Sequence, residues 1–406
     1  MPRPTTNVVF AFDQGAGGTT NFFELDNAVK GVLDNATFTL GGNFSLVDVT
    51  QYVRSVSVSR GRSRQLDRTQ AASASIVLDN RARLFDPTAG TALSPYSSSI
   101  VPRKNVTITV NSQPIFTGLV DDWNIEFDLS GDSTTAAECV DGFAQIGQVN
   151  IGTAARTSQL SSARVDAILT EAGWPTGKRG INTGVVTLQA DTPAANTNAL
   201  EYIQTVTDTE FGAFFIDRSG NADFIDRTTV QNFATATVLG GTGIPISSVG
   251  INYGSELLYN DISLTRNNGG TVVRTDSTSQ TAYGVSDFSK TGYLFVNDTD
   301  MGTLADYLLS RYKDPSFRIE EVSIVMDALG TAQHAAISNL DITSPVQVTF
   351  TPSVGSAISQ FATIDRINHS ISPGSHTVTL SMSEAQPSFI LNNSNFGQLN
   401  DDQLGF

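Results

Sequence analysis

The stretch between residues 53 and 87 constrains the fold most, since a strand pattern continues on both sides of a long basic loop. Val56 and Val58 alternate with serines, which is the period-two pattern of a half-buried strand. A charged loop follows, and a second small-residue run at 71–78 precedes an Asp-Pro terminator. The sequence therefore predicts a wide hairpin whose loop is too long and too polar for a tight turn. Loops of this kind often bind a partner.

Two β-rich regions flank a shorter region with helical patterns. Residues 45–150 and 241–385 contain short alternating runs separated by turn residues, and this spacing favours a barrel or a sandwich. The runs include strands at 106–110 and 346–350 and a hairpin of 260–265 with 271–275. Residues 151–240 contain two helix-period runs. Ser161 or Ser162 is predicted to cap the first helix, and the second begins with a capping box at Asn198. The chain is thus predicted to be mainly β with an α+β insert. No clear sequence repeat relates the two β-rich regions, so the sequence does not establish a duplication.

The remaining segments are predicted to be arms and turns. Residues 1–44 begin with a strand candidate and read as an N-terminal strand or arm, and residues 386–406 read as an extended C-terminal arm. Asp121 and Asp122 separate two strand runs. Adjacent strand residues point to opposite faces and cannot form a paired-carboxylate site, so this pair is predicted to be a turn.

Composition limits the possible partners and compartments. The formal net charge of −16 argues against nucleic-acid binding, which needs clustered lysine and arginine. The same charge suits a channel wall along which DNA passes without adhering. The single cysteine, Cys139, cannot form an internal disulfide and falls in an alternating run, which predicts a buried thiol and synthesis in a reducing cytoplasm. No apolar run is long enough for a membrane span, and the start of the chain lacks a signal-peptide pattern.

The sequence offers little for catalysis. His369 and His376 flank a turn where their side chains can meet as two metal ligands do, but no third ligand with a fixed spacing joins them. Hydrogen-bonded turn residues are therefore the preferred interpretation. The chain has no G-x-S-x-G elbow and no phosphate loop in its structural context. The sequence is thus predicted not to be an enzyme, with no catalytic residue, no cofactor and no metal.

Several short motifs occur in an order and spacing that resemble the minor tail proteins of long-tailed, siphovirus-type bacteriophages, specifically the tail-hub class. The resemblance extends from about residue 45 to residue 385. Its motifs are the V-x-S strand with Arg60-Gly61-Arg62, Leu78-Asp79-Asn80, Phe85-Asp86-Pro87, Phe116-Thr117-Gly118 with Trp123, Asp141-Gly142-Phe143, Ser162-Ala163-Arg164-Val165 before Gly173-Trp174-Pro175, and His369 to His376.

The resemblance implies two tail-tube-like β-barrel domains, at 45–150 and 241–385, flanking a small α+β domain at 151–240. It also implies a homotrimeric ring at the tail tip of the virion, whose six barrels match the hexameric tail tube. The implied partners are the tail tube or distal tail protein, the tape-measure protein, and tail fibre or tip proteins. DNA would pass through the lumen without specific binding during genome ejection.

Two groups of residues are the candidate interface. The basic loop is the densest positive patch of an acidic chain, and arginine forks can bind carboxylates of a neighbouring subunit. A solvated loop is an equally weighted alternative. The second group is the spaced aromatic residues of the C-terminal arm. The candidate residues are Arg60, Arg62, Arg64, Arg68, Phe389, Phe396 and Phe406.

An alternative function is host recognition. A surface rich in threonine, asparagine, aspartate and aromatic residues suits carbohydrate binding, so a receptor-binding (glycan) protein of the tail tip is the second hypothesis. A tail-associated peptidase or glycosidase is a third, although its catalytic groups cannot be placed.

Overall fold

The computed structural model describes residues 3–12, 29, 32, 46–230 and 236–385. The described chain is mainly β, with 21 strands and seven α-helices. None of these helices has the length and hydropathy needed to cross a membrane. The first β-rich region contains β1 (Thr6–Ala11), β2 (Leu46–Asp48), β3 (Val53–Gly61), β4 (Gln70–Asp79), β5 (Asn105–Val110), β6 (Gln113–Phe127), β7 (Ser133–Val140) and α1 (Phe143–Ile146).

The middle of the chain alternates short strands and helices, and the last part returns to strands. The middle contains β8 (Gln159–Leu160), α2 (Ser161–Glu171), β9 (Arg179–Ile181), β10 (Thr187–Leu188), α3 (Ala199–Glu210), β11 (Ala213–Ile216), β12 (Ala222–Ile225) and α4 (Arg227–Val230). The last part contains β13 (Thr237–Leu239), β14 (Ser248–Asn252), β15 (Asp261–Arg266), β16 (Thr271–Thr275), α5 (Ser277–Tyr283), β17 (Asp287–Tyr293), α6 (Asp298–Tyr312), β18 (Arg318–Val325), α7 (Thr331–Ser338), β19 (Pro345–Phe350), β20 (Ile358–Ser372) and β21 (Ser375–Glu384).

One 13-stranded sheet joins the two β-rich regions. Its order is β14-β18-β21-β20-β3-β4-β7-β6-β5-β1-β2, and β19 and β13 branch from β20. The order has two ends, so the described strands form no closed barrel, and the expectation of two closed barrels is corrected. The reason lies in β20, whose first half pairs with β19 and whose second half pairs with β3. To close a barrel, β3 and β20 would each have to pair with a strand of their own region. They pair with each other instead, so the two regions share one sheet.

The strand order reveals an internal duplication. In the first β unit, defined as β1 with β3 to β7, the hydrogen-bonded order is β3-β4-β7-β6-β5-β1. In the second β unit, defined as β13, β14 and β18 to β21, the order is β14-β18-β21-β20-β19-β13. Strands that take the same position in the chain take the same position in the sheet. The units differ at the last pair, since β1 is antiparallel to β5 whereas β13 is parallel to β19.

The two units also share a register irregularity. The pairing of β6 with β7 shifts between Val120 and Asp122, and the pairing of β20 with β21 shifts between Ile364 and Arg366. The residue passed over is Asp121 in one unit and Asp365 in the other. The prediction of a turn at Asp121 was therefore wrong, because a bulge accommodates one extra residue while the strand continues.

Sequence traces of the duplication become visible once the strands are matched. Residues 55–61 (SVSVSRG) match 248–254 (SVGINYG), with the serine, the valine and the final glycine in common. Residues 119–124 (LVDDWN) match 363–368 (TIDRIN), with the aspartate and the asparagine in common. Identities this sparse carry no repeat signal on their own, since they are recognised only through the shared topology.

The described chain has two large hydrophobic cores and a small third cluster of Ala213, Phe215 and Ile342. One core lies under the 13-stranded sheet and includes apolar residues of both β units. The second core combines the middle region with residues from Ile262 to Tyr312, which lie between β14 and β18. The sequence analysis had placed this segment inside a β domain at 241–385. It instead forms the sheet β16-β15-β17 with α6 against it and packs with the α+β part.

Most of the local predictions are confirmed, and one is wrong. The Asn198 side chain accepts hydrogen bonds from the backbone N–H groups of Leu200 and Glu201, which confirms it as the N-cap of α3. The predicted hairpin between 260 and 275 is present as β15 and β16. The helix α2 begins at Ser161 without a side-chain cap, so the predicted serine cap was wrong. Cys139 is buried in β7 as expected.

Candidate functional site

The basic loop between β3 and β4 lies at the junction of the two β units and the α+β part. Each of the four candidate arginines forms an ion pair within the chain, and each partner belongs to a different segment. The pairs are Arg60–Asp341 at 2.6 Å, Arg62–Asp365 at 2.7 Å, Arg64–Glu256 at 2.6 Å and Arg68–Asp208 at 2.7 Å. Within the described chain the loop therefore acts as an intramolecular tie, and its predicted role at a subunit interface remains a prediction.

Burial ranks these pairs. The Arg60 side chain is 3% exposed, and its guanidinium also donates to the Ile216 carbonyl oxygen. The Arg62 side chain reaches the bulged Asp365, which is itself buried. The Arg64 side chain is 58% exposed, so its pair with Glu256 is screened by water. Arg64 is consequently the candidate arginine best placed to exchange its partner for a carboxylate of another subunit.

The surroundings of Arg60 contain more acid than base. Asp341 accepts from Arg60 and from the backbone N–H of Arg218. Burial, together with the nearby carboxylates of Asp217 and Asp341, raises the pKa of Asp223 to about 7, and Arg60 only partly offsets this. The junction thus joins β3, the β11–β12 hairpin and the loop before β19 through one buried charged cluster.

A small cavity of about 110 Å³ opens beside the loop. Arg68 and Lys290 both bind Asp208 in its wall, at 2.7 and 2.8 Å. Arg311 donates to the carbonyl oxygen of Glu384, and its second terminal nitrogen has no acceptor. The lining is a mixture of cationic, acidic and aromatic residues. This arrangement can hold a polar group, but its cations are largely occupied by neighbouring carboxylates.

The histidines form no cluster with a nucleophile or a metal-ligand set. His369 and His376 meet as the sequence suggested, with Nδ1 of the first 3.1 Å from Nε2 of the second. Burial lowers the pKa of both imidazoles, to about 4 for His376, so the pair is neutral at pH 7. His334 bonds to the carbonyl oxygen of Met326 and to Asn111. The described residues contain no group of three or more potential ligands that could hold a metal ion.

Sequence reasoning missed a continuous hydroxyl-bearing face on the 13-stranded sheet. Across five neighbouring strands, β18, β21, β20, β3 and β4, most of the residues that alternate with the core are short and polar. The exceptions include Glu321, Val325, Arg366 and Val77. One row runs through Ser323, Thr379, Asn368, Ser59 and Ser73. A second row runs through Thr377, Ser370, Ser57, Ser75 and Glu138.

We call these two rows the hydroxyl face. Their side chains are exposed or half-buried, whereas the alternate residues of the same strands are buried. The ten residues of the two rows include no lysine or arginine, although Arg366 lies on the same side of β20 next to the first row. The charged member of the rows, Glu138, accepts a hydrogen bond from Ser75. The serine alternation of β3 and β4 was the signal available in the sequence. It did not reveal the face, because three of the five strands come from the far end of the chain.

The aromatic candidates Phe389, Phe396 and Phe406 lie outside the described residues.

Comparison with known proteins identifies the fold. No protein-family model and no curated protein matches the chain. The 43 kDa tail protein of prophage MuSo2 from Shewanella oneidensis is similar, with a TM-score of 0.56 and 13% identity over 86% of this chain and 97% of its own. A tail protein from Neisseria meningitidis MC58 matches with a TM-score of 0.56 and 11% identity over 85% of this chain and 94% of its own.

A third similar structure comes from a secretion system. The E. coli c3393 protein, a component of the type VI secretion system described as similar to T4 phage tail proteins gp27 and gp5, matches with a TM-score of 0.50 and 9% identity over 82% of this chain and 73% of its own. Sequence identities this low establish a shared fold alone. The chain therefore has a fold found in phage tail proteins.

Proposed function

We propose that the chain is a structural subunit of a bacteriophage tail, in which three copies form a ring that joins the hexameric tail tube to the tail tip. The observation that carries the proposal is the internal duplication. Two β units of one topology in each chain give six similar units in a trimer, and six units can face six subunits of a tube. The similarity to the prophage MuSo2 tail protein and to the Neisseria meningitidis tail protein supports the same assignment.

The hydroxyl face is proposed to be the wall of the lumen. Its side chains are mainly short and uncharged, and a phosphate backbone finds no lysine or arginine within the two rows to bind it. The net charge of −16 per chain repels DNA from the remainder of the subunit. DNA and the tape-measure protein would pass through such a conduit without adhering, and the proposal assigns the chain no catalytic role.

The asymmetry between the two units supports an adaptor role. The segment between β3 and β4 is a loop without helices or strands, whereas the equivalent segment between β14 and β18 contains β15 to β17 and two helices. A ring of three chains would present six similar β units together with three such insertions. The sixfold partner would be the tube or distal tail protein, and the threefold partners would be fibre or tip proteins at the end of the virion tail.

The first experiment measures the mass of the full chain by light scattering and images it by negative-stain microscopy. The proposal predicts a species of three times 43.2 kDa with a central hole, at high protein concentration or on assembled tails. Antibody labelling of intact tails should place the chain between the tube and the tip. A chain that is absent from purified tails, or that labels only fibres and binds isolated host glycans, would contradict the proposal and favour receptor binding.

A further inference from the structure

Two strand edges of the 13-stranded sheet have no partner among the described strands. β14 is one end of the sheet, and its only neighbour is β18. The last part of β6, residues 122–127, pairs with β7 on one side, while β5 pairs with β6 only as far as Leu119. Unpaired edges expose backbone donors and acceptors and are sites where another chain can add to a sheet.

The internal duplication shows what these two edges can bind. The part of β20 equivalent to residues 122–127 is 366–371, and it pairs antiparallel with β3 of the other unit. The strand equivalent to β3 in the second unit is β14. The free edge of β6 is thus equivalent to the edge of β20 that pairs with β3, and the free edge of β14 is equivalent to the edge of β3 that pairs with β20.

We propose that residues 122–127 of one chain pair with residues 249–254 of a second copy, and that this pair repeats the β20–β3 joint between chains. The internal register, Arg366 with Gly61 through to Ile371 with Val56, transfers directly to the matched residues. The resulting antiparallel pairs are Asp122 with Gly254, Trp123 with Tyr253, Asn124 with Asn252, Ile125 with Ile251, Glu126 with Gly250, and Phe127 with Val249.

The side chains on both edges agree with this register. On the core side the proposed joint brings aromatic and aliphatic residues together, and three of them are exposed in the single chain: Phe127 by 56%, Ile251 by 44% and Tyr253 by 70%. Their counterparts in the internal joint, Ile371, Val58 and, for Tyr253, Arg60, are all buried. Burial of these exposed apolar side chains would stabilise the association.

The opposite side of the joint is polar, as the hydroxyl face is. Asp122, Asn124 and Glu126 would lie beside Gly250 and Asn252. None of these five residues is a lysine or an arginine, although Arg318 lies on this side opposite Asn252. The polar face would therefore continue from one chain to the next across the joint. The contact is head-to-tail, since the two edges differ, and contacts of this type form closed rings when the rotation permits.

The inference rests on the proposed ring, but its test reads the strand pairing itself. The double variant Asn124→Cys/Asn252→Cys places two thiols opposite each other in the proposed register. Directly opposed residues of antiparallel strands have Cα atoms about 4.5 to 5.5 Å apart, which is within disulfide range. In the matched control, Asn124→Cys/Ser248→Cys, the second cysteine is on the same side of β14 but four residues before Asn252. This moves it roughly 13 Å along the strand from the residue opposite Asn124. The native Cys139 is buried and serves both variants as the internal control.

The full-length variants are oxidised at high concentration and analysed on non-reducing gels beside light scattering under reducing conditions. The expected result is that the matched variant yields covalent dimers and trimers at least about tenfold more than the mismatched variant. Amide hydrogen exchange of the unmodified protein should show protection of 122–127 and 249–254 only in the assembled species.

The outcomes separate the two proposals. Suppose that a trimer forms, the matched pair does not cross-link, and amide hydrogen exchange at both edges is unchanged on assembly. The proposed strand pairing is then overturned, whereas the proposed trimeric ring is not. If the matched pair cross-links into open chains of undefined length and tails lack the protein, the pairing stands and the proposed function fails. A protein that stays monomeric at all concentrations, with no cross-link in either variant, overturns the pairing.

Discussion

At the scale of single residues, Arg60 illustrates how the basic loop holds the chain together. Its side chain is almost fully buried at the place where β3, the β11–β12 hairpin and the loop before β19 meet. A buried guanidinium is tolerable only with a carboxylate and further acceptors close by, and Asp341 and the Ile216 carbonyl oxygen supply them. Arg64, four residues later, faces water and makes a pair of much smaller consequence.

This difference gives a stability prediction. Arg60→Met removes the buried cation but keeps most of the side-chain volume, and leaves the carboxylate of Asp341 without its cation. We expect the free energy of unfolding to fall by about 3 to 5 kcal/mol, measured by urea denaturation. The matched control, Arg64→Met, removes an exposed pair and should change it by at most about 1 kcal/mol. Equal effects of the two substitutions would show that the buried pair has no special structural role.

Asp223 gives a prediction on pH dependence. Its pKa in the folded chain is about 7, above that of an unfolded aspartate, so the folded state holds the proton more tightly. The stabilisation from protonated Asp223 is present below the unfolded pKa and is lost as pH rises from about 4 to 7. Urea unfolding at several pH values should therefore show a steeper loss for the natural protein than for Asp223→Asn. Asp223→Glu, which still titrates, should keep the slope, and identical slopes for all three proteins would refute the assignment.

At the scale of elements, the joint between β3 and β20 decides the architecture. Gly61 ends β3 with a φ of +118°, and a Cβ at this position would lie 2.0 Å from the carbonyl oxygen of Asp365. The close approach of the two backbones at this point therefore requires a residue without a side chain. The same residue is the last of the short motif shared with 248–254.

Substitution at this glycine tests the joint. Gly61→Ala must move two backbones apart and adopt an unfavourable φ, so we expect a loss of unfolding free energy of more than about 2 kcal/mol, read by thermal and urea denaturation. The matched control is Gly90→Ala, since Gly90 also has a positive φ of +69° but no atom near its missing Cβ. Its expected cost is about 1 kcal/mol, from backbone strain alone. A Gly61→Ala protein as stable as the control would mean that the joint is looser than described.

Particular elements show what the sequence could predict. The strands at 105–110 and 345–350 and the hairpin at 260–275 follow from local alternation and turn residues, and they were predicted. The β3–β20 joint was not, because it pairs residues about 300 positions apart and its register depends on the fit of two backbones. The segment around 262–312 was misplaced for a related reason. Periodicity reports that a strand has an apolar side, but not which core that side enters.

The candidate site divides in the same way. The arginine cluster was visible in the sequence, but its partners Asp341, Asp365, Glu256 and Asp208 were not, since no local pattern links them to the loop. The meeting of His369 and His376 was foreseen because both flank one tight hairpin. The hydroxyl face was missed because it is a property of five strands in register rather than of any one strand.

At the scale of the whole molecule, the hydroxyl face makes a prediction about transport. Ser57→Lys/Ser73→Lys adds two cations to neighbouring strands of this face, where they would contact phosphate in the proposed lumen. We expect tails that carry this variant to eject DNA more slowly, and the delay to shrink as salt is raised. The measurement is DNA release from purified particles followed by dye fluorescence.

The control for this experiment is Ser289→Lys, since Ser289 is exposed on β17, outside the hydroxyl face. It should leave the release rate unchanged. A slower release from both variants, or from neither, would remove the hydroxyl face from the proposed path of DNA.

The pairing of two β units in one chain has a further consequence for variation. In a ring of six identical chains, every substitution is repeated six times, so no position can change without changing all of its symmetry mates. In a ring built from this chain, Asp121 and Asp365 occupy matched places but are encoded separately, and one is half-buried while the other is buried against Arg62. Mutation can therefore change every second β unit around the ring while the β units between them stay the same.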